Sequence, residues 1–216
     1  FPNFSETQEM NIELPHDLEG QYPKEFFYNF HKKLKNYAFT TEDNVWKINL
    51  TRTFIALSCK KYDRWENFKA KLECPLNSLI DIYTPSIFTR VGLRYVDIIR
   101  RSNLTLVNED WSNLLKPHIL GFLSSDDVRE SIHDFENRYE ILLSDNQSKV
   151  RIIIKLIQHL ENNENCIMID SDFFNDSKTN IKNIFNRLDY LNQRATRLIR
   201  WCITDKLHNA MEPREI

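Results

Sequence analysis

Glycine is scarce in this chain, with only Gly20, Gly92 and Gly121 among 216 residues. A glycine-rich loop that cradles phosphate needs several glycines at close spacing, so that type of nucleotide site is excluded. Long apolar runs are also missing, and none approaches the about 20 residues that span a bilayer as a helix. Since no signal peptide is visible either, we expect a cytoplasmic protein that does not cross a membrane.

Cysteine pairs at metal-binding spacing are absent too. Cys59, Cys74, Cys166 and Cys202 form no C-x-x-C pair, which zinc sites commonly contain. We therefore predict free thiols in a reducing compartment and no zinc. The six histidines form no H-E-x-x-H motif and no Ser-His-Asp order, so the sequence predicts no cofactor and no nucleophilic mechanism.

The charges nearly balance, with 29 Lys and Arg against 31 Asp and Glu and a net charge of −2 at pH 7. This balance excludes a protein that attracts nucleic acid through its overall charge, but it leaves room for a local basic patch. The hydrophobic content of 41% is enough for a sizeable core. A chain of this length fits one large domain or two smaller halves that share a core.

The stretch FTRVGLRYVDIIRR at residues 88–101 indicates a central β-strand. β-Branched and aromatic residues dominate it, and odd positions such as Val91 and Tyr95 should face the core. Gly92 then marks either a bulge or a close approach of another backbone. Arg94 has the opposite parity, so we expect its guanidinium to lie on the less apolar face, free for a ligand or a partner.

Upstream of the central strand, the sequence predicts two helices and a hairpin. The elements are irregular residues 1–23, a helix at Lys24–Tyr37, and a hairpin of Trp46–Leu50 with Thr53–Lys60. Asp63 is the expected cap of the next helix, and Pro75 should kink or restart that helix because proline lacks the backbone N–H donor.

Downstream, alternation predicts a hairpin, an interior strand and a long helix. The elements are strands Phe135–Leu143 and Val150–Ile157, an interior strand Cys166–Asp170, and one helix Asp176–Asn209. The helix carries an apolar seam formed by Ile181, Ile184, Leu188, Leu191, Ala195, Leu198 and Cys202. This seam either lies across the sheet or also meets a second copy of the protein, which would make a homodimer.

These elements predict an α+β fold, with an antiparallel-dominated sheet in two related ββα-like halves and a long C-terminal helix. Residues 1–125 form the first half, with the central strand 88–101, and residues 126–216 form the second, with the hairpin, the interior strand and the long helix. The passages FIALSCKKYDRW and CIMIDSDFFND correspond in outline, which favours a duplicated unit. We expect both halves to form one compact unit.

Asp170 and Asp172 form a D-x-D pair at the end of the predicted interior strand. Carboxylates at this spacing can share a divalent metal, as in many phosphoryl-transfer sites. Aspartates at a strand end also accept hydrogen bonds from the backbone N–H groups of a turn. The pair is therefore either a metal site of an enzyme or a structural feature.

Six arginines are candidates for an anion-binding site. Four lie around the central strand and two on the long helix: Arg90, Arg94, Arg100, Arg101, Arg194 and Arg197. The planar guanidinium suits phosphate and carboxylate groups, which makes nucleic acid one candidate ligand. The alternative is a solvated helix face together with Arg–Asp pairs, for example Arg94 with Asp97.

Five passages together resemble a known protein family. The chain resembles the sporadically distributed bacterial proteins called the TIGR04255 family in the passages WKINL, YDRWENFKAKL, RVGLRYVDII, CIMIDSDFF and ITDKLHNAM. The family's strand signature is roughly RxGLRYxNxI, and it is matched by Arg90, Gly92, Leu93, Arg94, Tyr95 and Ile98. Its closing motif is matched by Asp170, Asp172, Thr204, Asp205 and Lys206. The resemblance covers roughly residues 40–212, and Asp97 stands where the family has Asn.

The resemblance implies an accessory or interaction role, since the family has no settled activity and its patchy distribution is similar to that of mobile, defence or toxin–antitoxin genes. The leading hypothesis is a non-enzymatic binding or regulatory module that acts through a protein partner. One alternative is a nucleic-acid-binding protein that uses the arginine-rich strand and helix. The other is a metal-dependent phosphoryl-transfer enzyme that uses Asp170 and Asp172.

Overall fold

The computed structural model describes residues 1–9, 34–160 and 162–211. The fold is α+β, as predicted, with antiparallel sheets and two helices of 19 residues each. Contacts within the chain define two units, Phe1–Thr84 and Pro85–Ile216.

The division between the units falls after Thr84, whereas the sequence pattern predicts two halves that meet at residue 125. The difference arises at the central strand, which is Val91–Ile99 in the structure. This strand pairs along its whole length with Asn175–Ile167 of the C-terminal half. The segment that contains it therefore belongs to the second unit.

The first unit is a meander of four antiparallel strands followed by a helix. Its elements are β1 Asn3–Glu9, β2 Leu34–Thr40, β3 Trp46–Leu50, β4 Ile55–Cys59 and α1 Trp65–Tyr83. Strands that are consecutive in the chain are neighbours in the sheet, so the order is β1-β2-β3-β4. The predicted hairpin is β3 with β4, in which Trp46 lies opposite Cys59. Buried Ile48, Trp65 and Leu76 contribute to its core.

Two predictions for the N-terminal region are wrong. Asn3–Glu9 is a strand and not irregular chain, and the helix predicted at Lys24–Tyr37 cannot reach its end because Leu34–Thr40 is β2. The rest of that predicted helix lies outside the described residues. Pairing explains the outcome: β1 and β2 bond antiparallel over seven residues each, and this ladder satisfies backbone groups that a helix would have satisfied internally.

Helix α1 differs from its prediction at its N-cap, and it does not restart at Pro75. Its N-cap is Arg64, while Asp63 accepts a hydrogen bond from the side chain of Asn67 at 2.8 Å. The helix continues through Pro75 without a break. Trp65 at the start of the helix and Leu76 directly after the proline are both buried, and this packing offsets the lost hydrogen bond.

The second unit is built on a four-stranded antiparallel sheet. Its strands are β6 Val91–Ile99, β7 Glu136–Leu142, β8 Ser148–Gln158 and β9 Asn165–Asn175, in the order β6-β9-β8-β7. A separate two-stranded ribbon joins β5 Ile87–Phe88 to β10 Thr179–Asn180. Strand β9 lies between β6 and β8, and Ile167 and Ile169 on it are fully buried, which confirms the predicted interior strand.

One face of this sheet is covered by helix α4, Ile184–Cys202, whose buried residues include Leu188 and Leu191. The hydroxyl of Tyr95 on β6 donates a hydrogen bond to Oδ1 of Asn192 at 2.9 Å, across the sheet–helix interface. The apolar seam of the helix therefore serves the packing of the chain's own sheet.

The predicted long C-terminal helix is present as α4, but its predicted bounds Asp176–Asn209 are wrong, because that segment also contains the strand β10 and a second helix. The 3-10 turn Ile181–Asn183 precedes α4, and a second helix, α5, runs from Asp205 to Ala210. Between them Ile203 is extended and bridges to Leu115. The hydroxyl of Thr204 then accepts a hydrogen bond from the backbone of Leu207, which caps α5.

A cluster of short helices completes the second unit. It contains α2 Trp111–Leu114, α3 Pro117–Leu120 and the 3-10 segments Arg101–Leu104, Gly121–Ser124 and Arg129–Ser131. Buried residues from this cluster and from the end of the chain form a satellite core: Leu114, Leu115, Ile119, Leu120, Ile203 and Leu207. This core explains the break after α4, since Ile203 must leave the helix to enter it.

Candidate protein-binding surface

The face of the second sheet that is turned away from α4 is here called the open face. Side chains alternate along a strand, and Val91 and Leu93 of β6 are buried on the α4 side. The paired residues of the other parity therefore form the open face. Its members include Gly92, Arg94, Val96, Ile98, Met168, Asp170, Asp172, Phe174, Lys149, Arg151, Ile153, Lys155, Glu136, Arg138, Glu140 and Leu142.

Arg94 and Asp170 form the central ion pair of the open face. Nε of Arg94 lies 2.7 Å from Oδ1 of Asp170, and Nη2 lies 2.5 Å from Oδ2, so the pair is bidentate. The Arg94 side chain is 62% exposed, whereas that of Asp170 is only 9% exposed. The hydrogen bond to Asp170 raises the pKa of the Arg94 guanidinium. The expectation of a free Arg94 is therefore wrong, and its partner is Asp170, not Asp97.

Arg90 forms a second ion pair beside the first, with 2.8 Å between its Nη2 and Oδ2 of Asp172. Its guanidinium also lies 4.8 Å from the ring centre of the buried Phe174, a cation–π arrangement. Gly92 makes this possible: a Cβ there would stand 3.1 Å from Nη1 of Arg90 and 3.3 Å from the carbonyl oxygen of Phe173. The pairing of β6 shows no bulge, so Gly92 marks a close approach.

The remaining charges of the open face are paired as well. Arg151 lies 3.0 Å from Glu140, and Glu136 contacts both Arg138 and Lys155. The predicted metal ligands Asp170 and Asp172 each bind an arginine. Within the described ranges, no three His, Cys, Asp or Glu side chains are placed to hold a metal ion.

Arg100 and Arg101 lie at the far end of β6 and do not join this surface. Nε of Arg100 is 3.1 Å from Oε2 of Glu164, and its Nη1 is 2.8 Å from Nε2 of His159. The pKa of Glu164 is lowered to about 2 by hydrogen bonds that its carboxylate accepts from the hydroxyl and the backbone N–H of Ser102 and from the side chain of Arg100. Arg101 packs over Trp111 and has its own structural contacts.

The two helix arginines are also separate from the strand arginines. Arg194 and Arg197 lie on α4, and Arg194 packs over the ring of Tyr190 at 4.8 Å. Helix α4 covers the opposite side of the sheet from Arg90 and Arg94. The six candidate arginines therefore do not form one anion site.

Exposed apolar side chains distinguish the β6 side of the open face. Val96 is 52% exposed and lies opposite Asp170, the partner of Arg94, and Ile98, two residues further along the strand, is 56% exposed. The sequence contained their signal, since both residues have the parity opposite to the core-facing positions of the strand. Their place beside a paired row of charges became visible only with the register of β6 against β9.

No helix in the described residues is both long and apolar enough to span a membrane. Comparison of the chain with protein-family models, with curated proteins and with solved structures finds no match.

Proposed function

We propose that this protein is a non-enzymatic binding module that recognises a protein partner through the open face of its second unit. The observation that carries the proposal is the exposure of Val96 and Ile98 beside the Arg94–Asp170 pair. Exposed apolar residues bordered by charged ones are typical of protein-binding surfaces. The resemblance to the TIGR04255 family favours the same interaction role.

The charge arrangement favours an acidic, partly apolar protein surface as the partner. In the Arg94–Asp170 pair the guanidinium faces solvent and the carboxylate lies beneath it, and Arg90 is likewise more exposed than Asp172. A partner that approaches Val96 and Ile98 therefore meets guanidinium groups first. Aspartate or glutamate side chains around an apolar centre complement this pattern.

A nucleic acid fits the open face less well. Affinity for nucleic acid depends on many cation–phosphate contacts along an extended backbone, and the β6 side of the open face presents two arginines. Glu136 and Glu140 lie on β7 at the opposite edge, where they would repel a polyanion that extends across the sheet, whereas a protein partner can confine its acidic side chains to the β6 side. The metal-dependent alternative meets a similar obstacle, because a cation would have to displace Arg94 and Arg90 from the two aspartates.

The test compares two variants that place the same charge at similarly exposed valines. Val96→Asp puts a carboxylate on the open face, where it should repel an acidic partner. Val107→Asp is the matched control, since Val107 is 59% exposed and lies in the loop after the 3-10 segment Arg101–Leu104. Tagged wild type and both variants are crosslinked in extract of the source organism, and the captured proteins are quantified.

We expect at least one protein that wild type and Val107→Asp capture equally and that Val96→Asp loses by about tenfold, the loss that about 1.4 kcal/mol produces. Circular dichroism confirms that both variants are folded. Equal capture by all three proteins would refute the open face as the binding surface. Turnover of nucleotides or nucleic acid that disappears in Asp170→Asn would instead establish an enzyme.

A further inference from the structure

A cavity of about 190 Å³ lies at the far end of β6, on the α4 side of the second unit. Most of its wall is apolar, and the residues that matter here are Asp97, Ile99, Leu104, Ile199, Ile203 and Met211. Asn103 and Arg100 complete the polar part of the lining. The lining of the cavity is therefore mostly hydrocarbon, and the carboxyl group of Asp97 is one of its few polar groups.

Among the described residues, none forms a hydrogen bond or an ion pair with the side chain of Asp97, whose backbone is paired with β9. It belongs to the face of β6 that packs toward α4, and burial raises the pKa of its carboxyl. The buried Asp170 is different, because it has the bidentate Arg94 as its partner. Asp97 is partly exposed, and even a partial loss of water around a carboxylate without a partner makes the charged form more costly. A cationic ligand would supply the missing partner.

The other ionisable groups around the cavity do not supply that partner. Arg100 is held by Glu164 at 3.1 Å and by His159 at 2.8 Å, so its charge is already compensated. Burial, with a contribution from the nearby Asp97, raises the pKa of the Cys202 thiol to about 12. That thiol is therefore neutral at pH 7, and the charge that remains to be balanced is that of Asp97.

We propose that this cavity binds a small primary amine in its protonated form, with the ammonium group on Asp97 and the aliphatic chain against Ile99, Leu104 and Ile199. The size sets the class of ligand, since a cavity of about 150 Å³ in another protein accepts benzene. An unbranched amine of roughly six to eight non-hydrogen atoms fits the volume. The proposal does not rest on the proposed function, although Ile98 of the open face also lines the cavity.

The test is an NMR titration with n-pentylammonium chloride. The folded protein carries ¹³C-labelled isoleucine methyl groups, whose signals are followed. The methyl signals of Ile99, Ile199 and Ile203 report occupancy of the cavity. 1-Pentanol has the same chain without the charge, so it measures the apolar contribution in wild type and needs no variant. Asp97→Asn removes the charge at nearly constant shape, and Asp127→Asn, at an exposed carboxylate, is the matched control.

We expect the amine to shift the three methyl signals with a Kd at least about tenfold lower than that of the alcohol, as a charge-assisted contact predicts. Asp97→Asn should abolish this difference, and Asp127→Asn should keep it. Equal affinities of amine and alcohol for wild type would overturn the proposal, and so would methyl signals that neither compound moves. An amine affinity unchanged in Asp97→Asn would also overturn it.

Discussion

The pair of Arg94 with Asp170 makes a quantitative prediction, because its two members differ so much in exposure. Arg94→Ala leaves the carboxylate of Asp170, 9% exposed, without its bidentate partner. Asp170→Asn leaves the guanidinium of Arg94, 62% exposed, which water can solvate. Loss of the arginine should therefore destabilise the second unit more than loss of the aspartate charge.

The size of the effect follows from where this pair stands between surface and interior. Breaking a fully buried pair costs about 3–5 kcal/mol, and an exposed pair contributes about 0–1 kcal/mol. The cost of leaving a charged, mostly buried acceptor without its partner lies between these limits, so we expect Arg94→Ala to lower the free energy of unfolding by about 2 kcal/mol. That loss corresponds to a fall in Tm of roughly 5–10 °C. Asp170→Asn should cost less than about 1 kcal/mol.

The assay is a double-mutant cycle followed by urea unfolding, with hydrogen exchange of the β6 and β9 amides to localise the loss in the second unit. Arg94→Ala combined with Asp170→Asn should be more stable than Arg94→Ala alone, since the orphaned charge is gone. An Arg94→Ala protein whose Tm stays within about 1 °C of wild type would refute the reasoning. Failure of Asp170→Asn to restore stability would point to lost packing of the arginine stem instead.

Two further predictions concern Gly92 and Glu164. Gly92→Val should lower the free energy of unfolding by more than about 1 kcal/mol, because the Cβ of the valine would press on Arg90 and on the backbone of Phe173. Gly121→Ala is a separate test of backbone strain, because Gly121 has a positive φ of 53°. Glu164 has a folded pKa of about 2 against an ordinary 4.5, so its contribution to stability is complete above pH 4.5 and disappears as the pH falls toward 2. Glu164→Gln should flatten the stability profile over that window, and an unchanged profile would contradict the assignment.

Alternation was the most informative pattern in the sequence. It correctly located β6, the pair β7 and β8, and the interior position of β9, because side chains on a strand repeat every two residues. It also placed Val91 and Tyr95 on the core side of β6 and Arg94 on the other. The hydrogen bond from the Tyr95 hydroxyl to Asn192 of α4 agrees with that placement.

Helix ends were less predictable, because distant contacts decided them. The break after Cys202 depends on Ile203, which pairs with Leu115 from a remote part of the chain. Continuity through Pro75 depends on burial that local propensity does not contain. In both places tertiary packing outweighed the local preference.

The candidate site was predictable in its residues but not in its pairings. Arg90, Arg94, Asp170 and Asp172 were all recognised, as candidates for two different sites. Their association depends on the register of β6 against β9, which joins positions 76 residues apart for the Arg94–Asp170 pair. The sequence contains no local signal of that register. Strand alternation alone does show that Arg94 and Asp97 lie on opposite faces.

Both proposed sites depend on the register of the same strand. Even positions of β6 carry Arg94 and Val96 to the open face, and odd positions carry Asp97 to the cavity. Because side chains alternate, a shift by one residue would exchange the two faces and destroy both sites together. Val96→Asp and Asp97→Asn should therefore each abolish one interaction and preserve the other. A variant that loses both has lost the strand register, and only loss of a single interaction identifies a binding residue.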